Sequence, residues 1–140
     1  MQAGARVAKF RSFMRPKRIL IIDDDPDQVS TLAEVLRLDG HQVQYATNPL
    51  YAMDLAQSFR PEFAFIDIGM PYMDGYEAVR RLRRHFTDAR MYAITGRSGD
   101  DEVRKSLDAG FDGHLVKPLD TAMIGRLLAE EDVSAGKSTT

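Results

Sequence analysis

The sequence predicts an α/β fold in which a doubly wound, five-stranded parallel sheet carries five helices on its two faces. Five short apolar runs alternate with helix-length segments between residues 17 and 131, a pattern typical of such open sheets. The 140 residues, 44% hydrophobic and 29% charged, match the size and balance of one compact domain. Right-handed crossovers between parallel strands leave few topologies for this order of elements.

The five predicted strands are short apolar runs, and several are continuous enough for burial on both faces. Such burial is expected of strands that helices cover from both sides. In chain order the strands are ILII (19–22), VQYA (43–46), FAFI (63–66), MYAI (91–94) and HLV (114–116).

The first predicted helix follows the first strand. Asp25 suits its N-cap, Pro26 its first helical position and Gly40 its stop. As an N-cap, Asp25 would accept hydrogen bonds from free backbone N–H groups. The inward stripe of this helix consists of Val29, Leu32, Ala33 and Leu36.

Four more helices are predicted from the same start and stop signals. The third of the five directs Tyr76, Val79 and Leu82 inward and has an arginine-rich outer face. The four helices span residues 48 to about 60, about 75 to 86, 100 to 110 and 120 to about 130.

Charge is distributed unevenly along the chain. Residues 1–18 carry six basic groups and no acid, which leaves 13 basic against 21 acidic side chains in the remainder, a net charge of −8. An acidic body argues against a nucleic-acid-binding domain, so we expect no direct nucleic-acid binding. The absence of cysteine excludes disulfides and thiolate metal sites. No apolar stretch approaches the roughly 18 residues of a membrane span, so we expect no membrane insertion and a cytoplasmic location.

The chain divides into a compact domain at residues 17–131, a basic N-terminal extension at 1–16 and a C-terminal tail at 132–140. The extension has three interpretations: a linker or flanking helix, a contact surface for a partner, or a targeting peptide. A helical extension would place Val7, Phe10 and Met14 on one side. The small-residue-rich tail resembles a mobile end or the start of a linker.

Ligand sites of open parallel sheets form beyond the carboxyl ends of the strands. The polar residues that directly follow the predicted strands are Asp23, Asp24, Asp67, Thr95 and Lys117. Crowded carboxylates raise one another's pKa unless a cation lies among them, and Mg²⁺ prefers such oxygen ligands. We expect Asp24 to bind the metal directly and Asp23 to hold a coordinated water. Taken alone, the acidic triplet at 23–25 is equally compatible with a helix cap beside solvated neighbours.

The remaining polar residues suit phosphoryl transfer. A carboxylate such as Asp67 can attack phosphorus, and a lysine supplies positive charge to the transferring group. Thr95 could donate a hydrogen bond to a phosphoryl oxygen, or could merely end its strand. Lys117 could equally be a surface lysine paired with Asp120. The joint pattern favours the chemical interpretation, because each residue follows a different strand at the same edge.

Four segments together resemble the receiver domain of two-component response regulators. They are ILIIDDDPD, IDIGMPYMDGYE, ITG and GFDGHLVKP, and the resemblance covers residues 17 to about 131. It implies a flavodoxin-like strand order 2-1-3-4-5. It also implies a phosphoacceptor domain that receives a phosphoryl group from a histidine kinase or a histidine phosphotransfer protein, and that catalyses only its own phosphorylation and dephosphorylation.

The resemblance also assigns roles to residues. Asp67 resembles the phosphoacceptor, and Asp23 and Asp24 resemble the acidic pair that organises Mg²⁺. The Gly69 carbonyl resembles a third protein ligand of the metal. Thr95 resembles the switch hydroxyl and Lys117 the lysine of the family, with a cis bond to Pro118.

Some positions depart from the commonest pattern of the family. His114 stands where Tyr or Phe is usual, which weakens the expectation of an aromatic rotamer switch. Leu119 stands where Phe often follows the proline. Gly69 places no side chain over the phosphoryl group, whereas Arg97 could reach across it.

We expect phosphorylation to draw Thr95 toward Asp67 and to alter a partner-binding surface. That surface contains Arg104, Lys105, Asp108, His114 and Asp120, a mixture suited to a transient partner. The resemblance also allows a phosphorylation-dependent homodimer. The domain is either a stand-alone receiver or a receiver cut from a longer chain such as a hybrid kinase.

Two alternatives compete with this interpretation. One is a pseudo-receiver that acts as an interaction module without phosphorylation. The other is a magnesium-dependent phosphohydrolase with Asp67 as nucleophile. Asp67 does not begin a DxD nucleophile motif, since residues 67–69 read DIG, and the sequence has no cap insertion; both points disfavour the phosphohydrolase.

Overall fold

A computed structural model describes residues 15–71, 73–96 and 99–138, with side chains as far as residue 130. The predicted helical stripe of Val7, Phe10 and Met14 and the predicted position of Arg97 lie outside these ranges. None of the helices in the described ranges combines the length and hydrophobicity that crossing a membrane would require.

Strands and helices alternate along the whole domain. In chain order they are β1 (Arg18–Ile22), α1 (Pro26–Leu38), β2 (Gln42–Ala46), α2 (Pro49–Phe59), β3 (Phe63–Asp67), α3 (Gly75–His85), β4 (Arg90–Thr95), α4 (Asp100–Ala109), β5 (Gly113–Val116) and α5 (Thr121–Ser138).

The five strands form one parallel sheet in the order β2-β1-β3-β4-β5, which confirms the predicted topology. Strand β3 is central, and all five of its residues are buried. The register pairs Ile22 with Ile66 across β1 and β3, so the residues that follow, Asp23 and Asp67, lie level with each other. The same edge receives the end of β4, where Thr95 pairs with Val116 of β5.

Helices cover both faces of the sheet. Alternate side chains of the strands pack against α1 and α5 on one face, through residues such as Leu36 and Ile124. The other face packs against α2, α3 and α4, through residues such as Ala56, Leu82 and Ala109. The sheet is therefore enclosed between two apolar layers, and only its edges are available for polar chemistry.

Asp25 is the N-cap of α1, as predicted. Its Oδ1 accepts hydrogen bonds from the backbone N–H groups of Asp27 at 3.0 Å and Gln28 at 3.4 Å. These bonds satisfy donors that a helix start otherwise leaves free. Of the three consecutive aspartates, the third, Asp25, therefore stabilises the start of α1.

The last helix is longer than predicted. Helix α5 continues to Ser138, whereas the sequence predicted an end near Glu130 and a tail at 132–140. Residues 131–138 lack an apolar stripe, so the burial pattern gave no sign of a helix beyond Leu128. They also contain no proline, and without that helix breaker the backbone continues its hydrogen bonding.

The outer face of α3 is rich in arginine as predicted, with Arg80, Arg81 and Arg84 exposed, but Arg83 is half-buried. Its guanidinium donates hydrogen bonds to the carbonyl oxygens of Gly110, Ala89 and Thr87 and pairs with Asp112 at 2.6 Å. Asp112 also accepts a hydrogen bond from the Met91 N–H at 2.9 Å. Arg83 thus joins the end of α3 to the start of β4 and to the α4–β5 connection.

We expect Arg83→Ala to destabilise the domain by about 2–3 kcal/mol, because several carbonyl groups and a carboxylate lose a charged donor at once. Denaturant unfolding measures this loss. Arg84→Ala is the matched control: the Arg84 side chain is exposed, and its removal should cost less than about 0.5 kcal/mol. Equal losses in the two variants would contradict the structural role of Arg83.

Candidate functional site

Three carboxylates meet at the carboxyl edge of the sheet. Asp23 and Asp24 follow β1, and Asp67 ends β3. Each offers one carboxylate oxygen, and these three oxygens lie within 4.8 Å of one another. Asp23 is only 2% exposed and Asp67 6% exposed, while Asp24 is open to solvent.

The loops that follow the strands orient two of these carboxylates. Oδ1 of Asp23 accepts a hydrogen bond from the backbone N–H of Asp25 at 3.0 Å. Oδ1 of Asp67 accepts one from the backbone N–H of Gly69 at 3.0 Å. In both residues the other oxygen, Oδ2, faces Lys117. Local backbone N–H groups therefore fix the orientation of the Asp23 and Asp67 carboxylates.

Lys117 contributes the positive charge of the site. Its Nζ lies 3.1 Å from Oδ2 of Asp67 and 3.8 Å from Oδ2 of Asp23. Asp120 instead accepts a hydrogen bond from the backbone N–H of Ala122 at the start of α5. The alternative of a surface lysine paired with Asp120 is therefore wrong. The Lys117–Pro118 peptide bond is cis, as the resemblance implied.

The electrostatics of the cluster favour a bound cation. Burial raises the pKa of Asp23 to about 6, and the charge of Asp67 adds to this rise, against the Asp25 N–H and Lys117, which lower it. Burial alone would lower the pKa of Lys117, but the hydrogen bond to Asp67 and the charges of the aspartates raise it above its ordinary value. The ammonium group of Lys117 is thus the one positive charge described beside the three carboxylates. Their oxygens are the ligands that Mg²⁺ prefers, so the residues fit that ion.

Thr95 ends β4 beside this cluster and is buried. Its backbone carbonyl accepts a hydrogen bond from the N–H of Lys117 at 2.8 Å. A displacement of Thr95 would therefore act directly on the segment that carries the lysine. Gly96 follows in an open position, because a Cβ added there would meet no atom within 4 Å.

Gly75 supports the site in a way that the sequence did not reveal. A Cβ at this position would lie 2.6 Å from the carbonyl oxygen of Asp67 and 2.7 Å from Cα of Ile68. The Gly75 N–H also donates to the carbonyl of Ile68 at 3.0 Å. The start of α3 thus packs directly against the backbone that carries Asp67. The only signal in the sequence was a glycine after the N-cap Asp74, which is easily read as a helix start.

The predicted partner-binding surface lies beside the site. Arg104, Lys105 and Asp108 are exposed on α4, and His114 is half-buried in β5. His114 also lines a cleft of about 240 Å³ with residues such as Val116 and Met123. The surface combines charged and apolar side chains, as the sequence suggested.

The sequence profile of the response regulator receiver domain matches residues 19–129. This chain belongs to that family. A curated relative, the transcriptional regulatory protein PrrA of Mycobacterium tuberculosis, is 38% identical over 101 residues, which are 72% of this chain and 43% of PrrA. The receiver chain therefore spans less than half the length of this relative.

Solved structures agree on the fold. A CheY-like receiver domain protein from Methanospirillum hungatei matches with a TM-score of 0.80 at 24% identity, covering 89% of this chain and 99% of that one. A chain of the CheX–CheY–BeF₃–Mg²⁺ complex from Borrelia burgdorferi matches with a TM-score of 0.73 at 25% identity, covering 79% and 85%. The flavodoxin-like receiver fold is thereby confirmed.

The comparisons correct one prediction about partners. The acidic body led us to expect no direct nucleic-acid binding, yet PrrA is named a transcriptional regulatory protein. The expectation is wrong because the net charge of a receiver describes that domain alone. It does not constrain the partners of the longer proteins in which such a domain occurs.

We expect Gly75→Ala to destabilise the receiver by about 2–3 kcal/mol, because a methyl group would collide with the backbone of Asp67 and Ile68. Gly125→Ala is the control, since its Cβ would meet nothing within 4 Å and alanine should stabilise α5 by up to about 1 kcal/mol. Thermal unfolding of both variants measures the difference. A Gly75→Ala protein as stable as the wild type would contradict the close packing.

We expect Asp23→Asn to stabilise the metal-free receiver by about 2 kcal/mol at neutral pH. The folded-state pKa of Asp23 lies above its ordinary value, so the folded state holds the proton more tightly than the unfolded chain. Ionised Asp23 therefore costs stability; the cost begins as the pH rises above 3.8, the ordinary pKa, and is complete above about 6.

Denaturant unfolding in EDTA at about pH 4.5 and pH 7.5 tests the sign of this effect. The difference in stability between the two proteins should be smaller at the lower pH than at the higher one. Asp24→Asn, which changes the exposed carboxylate of the cluster, should have the smaller effect. A less stable Asp23→Asn protein at pH 7.5 would show that the ionised Asp23 carboxylate stabilises the fold.

Proposed function

We propose that this receiver takes a phosphoryl group from a phosphohistidine onto Asp67 and uses it to switch a partner-binding surface. The observation that carries the proposal is the contact of Lys117 Nζ with the Asp67 carboxylate at 3.1 Å, within a cluster of two further carboxylates. A nucleophile, a cation-binding set and a fixed positive charge are thereby combined at one sheet edge.

In the transfer step, one carboxylate oxygen of Asp67 attacks phosphorus while the bond from phosphorus to the imidazole nitrogen breaks. The imidazole leaves with the electron pair of that bond and takes up a proton. The Lys117 ammonium, already beside Asp67, contacts a phosphoryl oxygen and stabilises its charge. The Gly69 N–H keeps the carboxylate in position during the attack.

Asp23, Asp24, Asp67 and the Gly69 carbonyl would hold Mg²⁺, the cofactor that we propose for the site. When bound, the ion neutralises the phosphoryl oxygens as they approach the carboxylates. The Borrelia complex named above contains both Mg²⁺ and BeF₃, which supports this assignment. In the metal-free site, the Lys117 ammonium is the charge that holds the carboxylates together.

Thr95 would transmit the signal. Its hydroxyl can donate a hydrogen bond to the new phosphoryl group, and its carbonyl already binds the Lys117 N–H. A shift of Thr95 would bias the surface of α4, β5 and the start of α5, since phosphorylation acts through differential contacts in two states. His114 occupies the position of the usual aromatic residue, so this switch proceeds without an aromatic rotamer change.

The pseudo-receiver alternative is not supported. Asp67, Thr95 and Lys117 lie at the same edge of the sheet in the order that the family requires. The catalysis that we propose is limited to phosphorylation and dephosphorylation of the receiver itself. In a longer protein related to PrrA, the switched surface would act on a segment that regulates transcription.

We expect acetyl phosphate and Mg²⁺ to modify the wild-type receiver and not Asp67→Asn, because the amide is no nucleophile for phosphorus. A phosphate-affinity gel separates the modified protein. Asp54→Asn is the control: Asp54 is an exposed carboxylate on α2, and its loss should leave modification unchanged. Modification of Asp67→Asn to the wild-type extent would exclude Asp67 as the acceptor.

We expect Thr95→Ala to accept the phosphoryl group and to lose most of the resulting NMR shifts on α4 and β5. The physical reason is the loss of the hydroxyl that binds the phosphoryl oxygen. Thr87→Ala, in the exposed α3–β4 connection, should retain those shifts. If Thr95→Ala retained every phosphorylation-dependent shift, the proposed route of the signal would be wrong.

A further inference from the structure

Two adjoining clefts form a groove at the amino-terminal edge of the sheet, opposite Asp67. The first, of about 430 Å³, lies between the start of β1 and the connections that precede β3 and β4. The second, of about 360 Å³, lies between α2 and α3. His85 and Phe86 line both clefts. We call the two together the basal groove.

The basal groove is basic, although the body of the domain is acidic. Among the described residues, seven basic side chains line it, against three acidic ones, Glu62, Glu77 and Asp88. Residues 19–140, by contrast, carry a net charge of −8. The groove therefore presents a positive potential to a partner while the opposite edge of the sheet is negative.

Part of this positive charge is already neutralised within the fold. Glu62 contacts Arg15 at 3.1 Å and Arg18 at 3.6 Å. Burial alone would raise the pKa of Glu62, but the hydrogen bonds from the Arg18 N–H and the Arg15 guanidinium hold it below its ordinary value. Glu77 contacts Arg81 at 3.1 Å. A single carboxylate shared by Arg15 and Arg18 leaves net positive charge in the groove.

Two arginines of the groove have guanidinium groups available for a partner. Arg60 and Arg84 are exposed, and their guanidinium groups make no ion pair within the part of the chain that the structure describes. Arg60 also adopts a left-handed backbone conformation, with φ of 55°, at the end of α2. Glycine or asparagine would adopt this conformation at lower cost. Backbone geometry therefore does not explain the choice of arginine there.

Apolar side chains lie between these cations. Phe86 is half-buried and lines both clefts, with Pro61 in the first and Met53 in the second. The ring of Phe86 contacts the His85 ring edge-on at 6.4 Å between centroids. An apolar side chain of a partner can thus lie in the groove while carboxylates on either side of it, also from the partner, bind the arginines.

We propose that the basal groove binds an acid-rich protein segment that carries apolar side chains. Guanidinium groups bind carboxylates through paired hydrogen bonds, and the apolar floor gives such a segment an anchor. A nucleic acid fits less well, because its continuous phosphate charge would meet Glu62, Glu77 and Asp88 within the groove. The sequence of residues 1–14 does not have this chemistry, because it contains Arg6, Lys9 and Arg11 and no acid.

The test uses a fluorescein-labelled peptide, Glu-Glu-Asp-Phe-Leu-Asp-Glu-Glu, whose binding to the full chain is followed by fluorescence anisotropy. We expect the double variant Arg60→Gln, Arg84→Gln to bind at least about tenfold more weakly than the wild type. The matched control is Arg37→Gln, Arg126→Gln, which makes the same change in net charge at exposed positions of α1 and α5. It should bind within about twofold of the wild type.

Two further peptides separate the contributions of charge and apolar anchor. Replacing the acids by their amides, or Phe-Leu by Gly-Gly, should weaken binding in each case. Retained affinity of either peptide would overturn the corresponding part of the proposal.

Three other results would overturn the proposal as a whole. The first is no binding of the acidic peptide at about 50 mM salt. The second is an equal loss in the two double variants, which would show general charge attraction. The third is tighter binding of a single-stranded DNA of about 20 nucleotides that only the groove variant loses, which would make the partner a nucleic acid.

This proposal is independent of the chemistry at Asp67. Both double variants should be modified by acetyl phosphate to the wild-type extent, since the groove lies at the other edge of the sheet. That measurement also shows that the variants are folded. Failure of peptide binding with normal modification would thus reject the groove and leave the phosphoacceptor role intact.

Discussion

The repulsion among three carboxylates at one sheet edge is the constraint on which the rest of this structure depends. The buried carboxylates of Asp23 and Asp67 would not stay beside each other and beside the exposed Asp24 without compensating charge. Lys117 and the loop amides supply part of that compensation, and a divalent cation would supply the remainder. In the function that we propose, the same excess of negative charge that opposes folding attracts a metal ion and prepares the site for a phosphoryl group.

Buried elements around the carboxylates keep this unfavourable arrangement of charges in place. Strand β3 is buried along its whole length, and α3 approaches its end so closely that only glycine fits at position 75. Arg83 adds a second restraint at the far end of α3 by binding three carbonyl groups and Asp112. Rigid elements thus position the Asp67 carboxylate, and in our proposal Thr95 and the exposed α4 surface provide the conformational response.

The two edges of the sheet differ in charge and in the task that we assign to them. The carboxyl edge is acidic, and we assign to it the phosphoryl transfer that is generic to the family. The amino-terminal edge is basic and contains arginines that the chemistry does not use. A receiver in a longer protein can therefore be contacted at one edge without disturbing the other. Membership of the family accounts for the polar residues at the carboxyl edge. The properties of the amino-terminal edge depend on the surface residues of this particular chain.

The strand topology was expected from the resemblance to receiver domains. The sequence by itself determined the order of elements, the cap role of Asp25 and the set of polar residues at the carboxyl edge. These features follow from local patterns, because the burial period, the helix caps and the strand ends depend on residues that are neighbours in the sequence. Only the tertiary structure decided that Lys117 contacts Asp67 and not Asp120, that Arg83 turns inward and that Gly75 touches the backbone of Asp67. Each of these contacts joins residues distant in the chain or depends on the packing of a helix against a strand. The end of α5 at Ser138 was also known only from the structure. Residues 131–138 have no periodic pattern of apolar residues from which a helix could have been predicted.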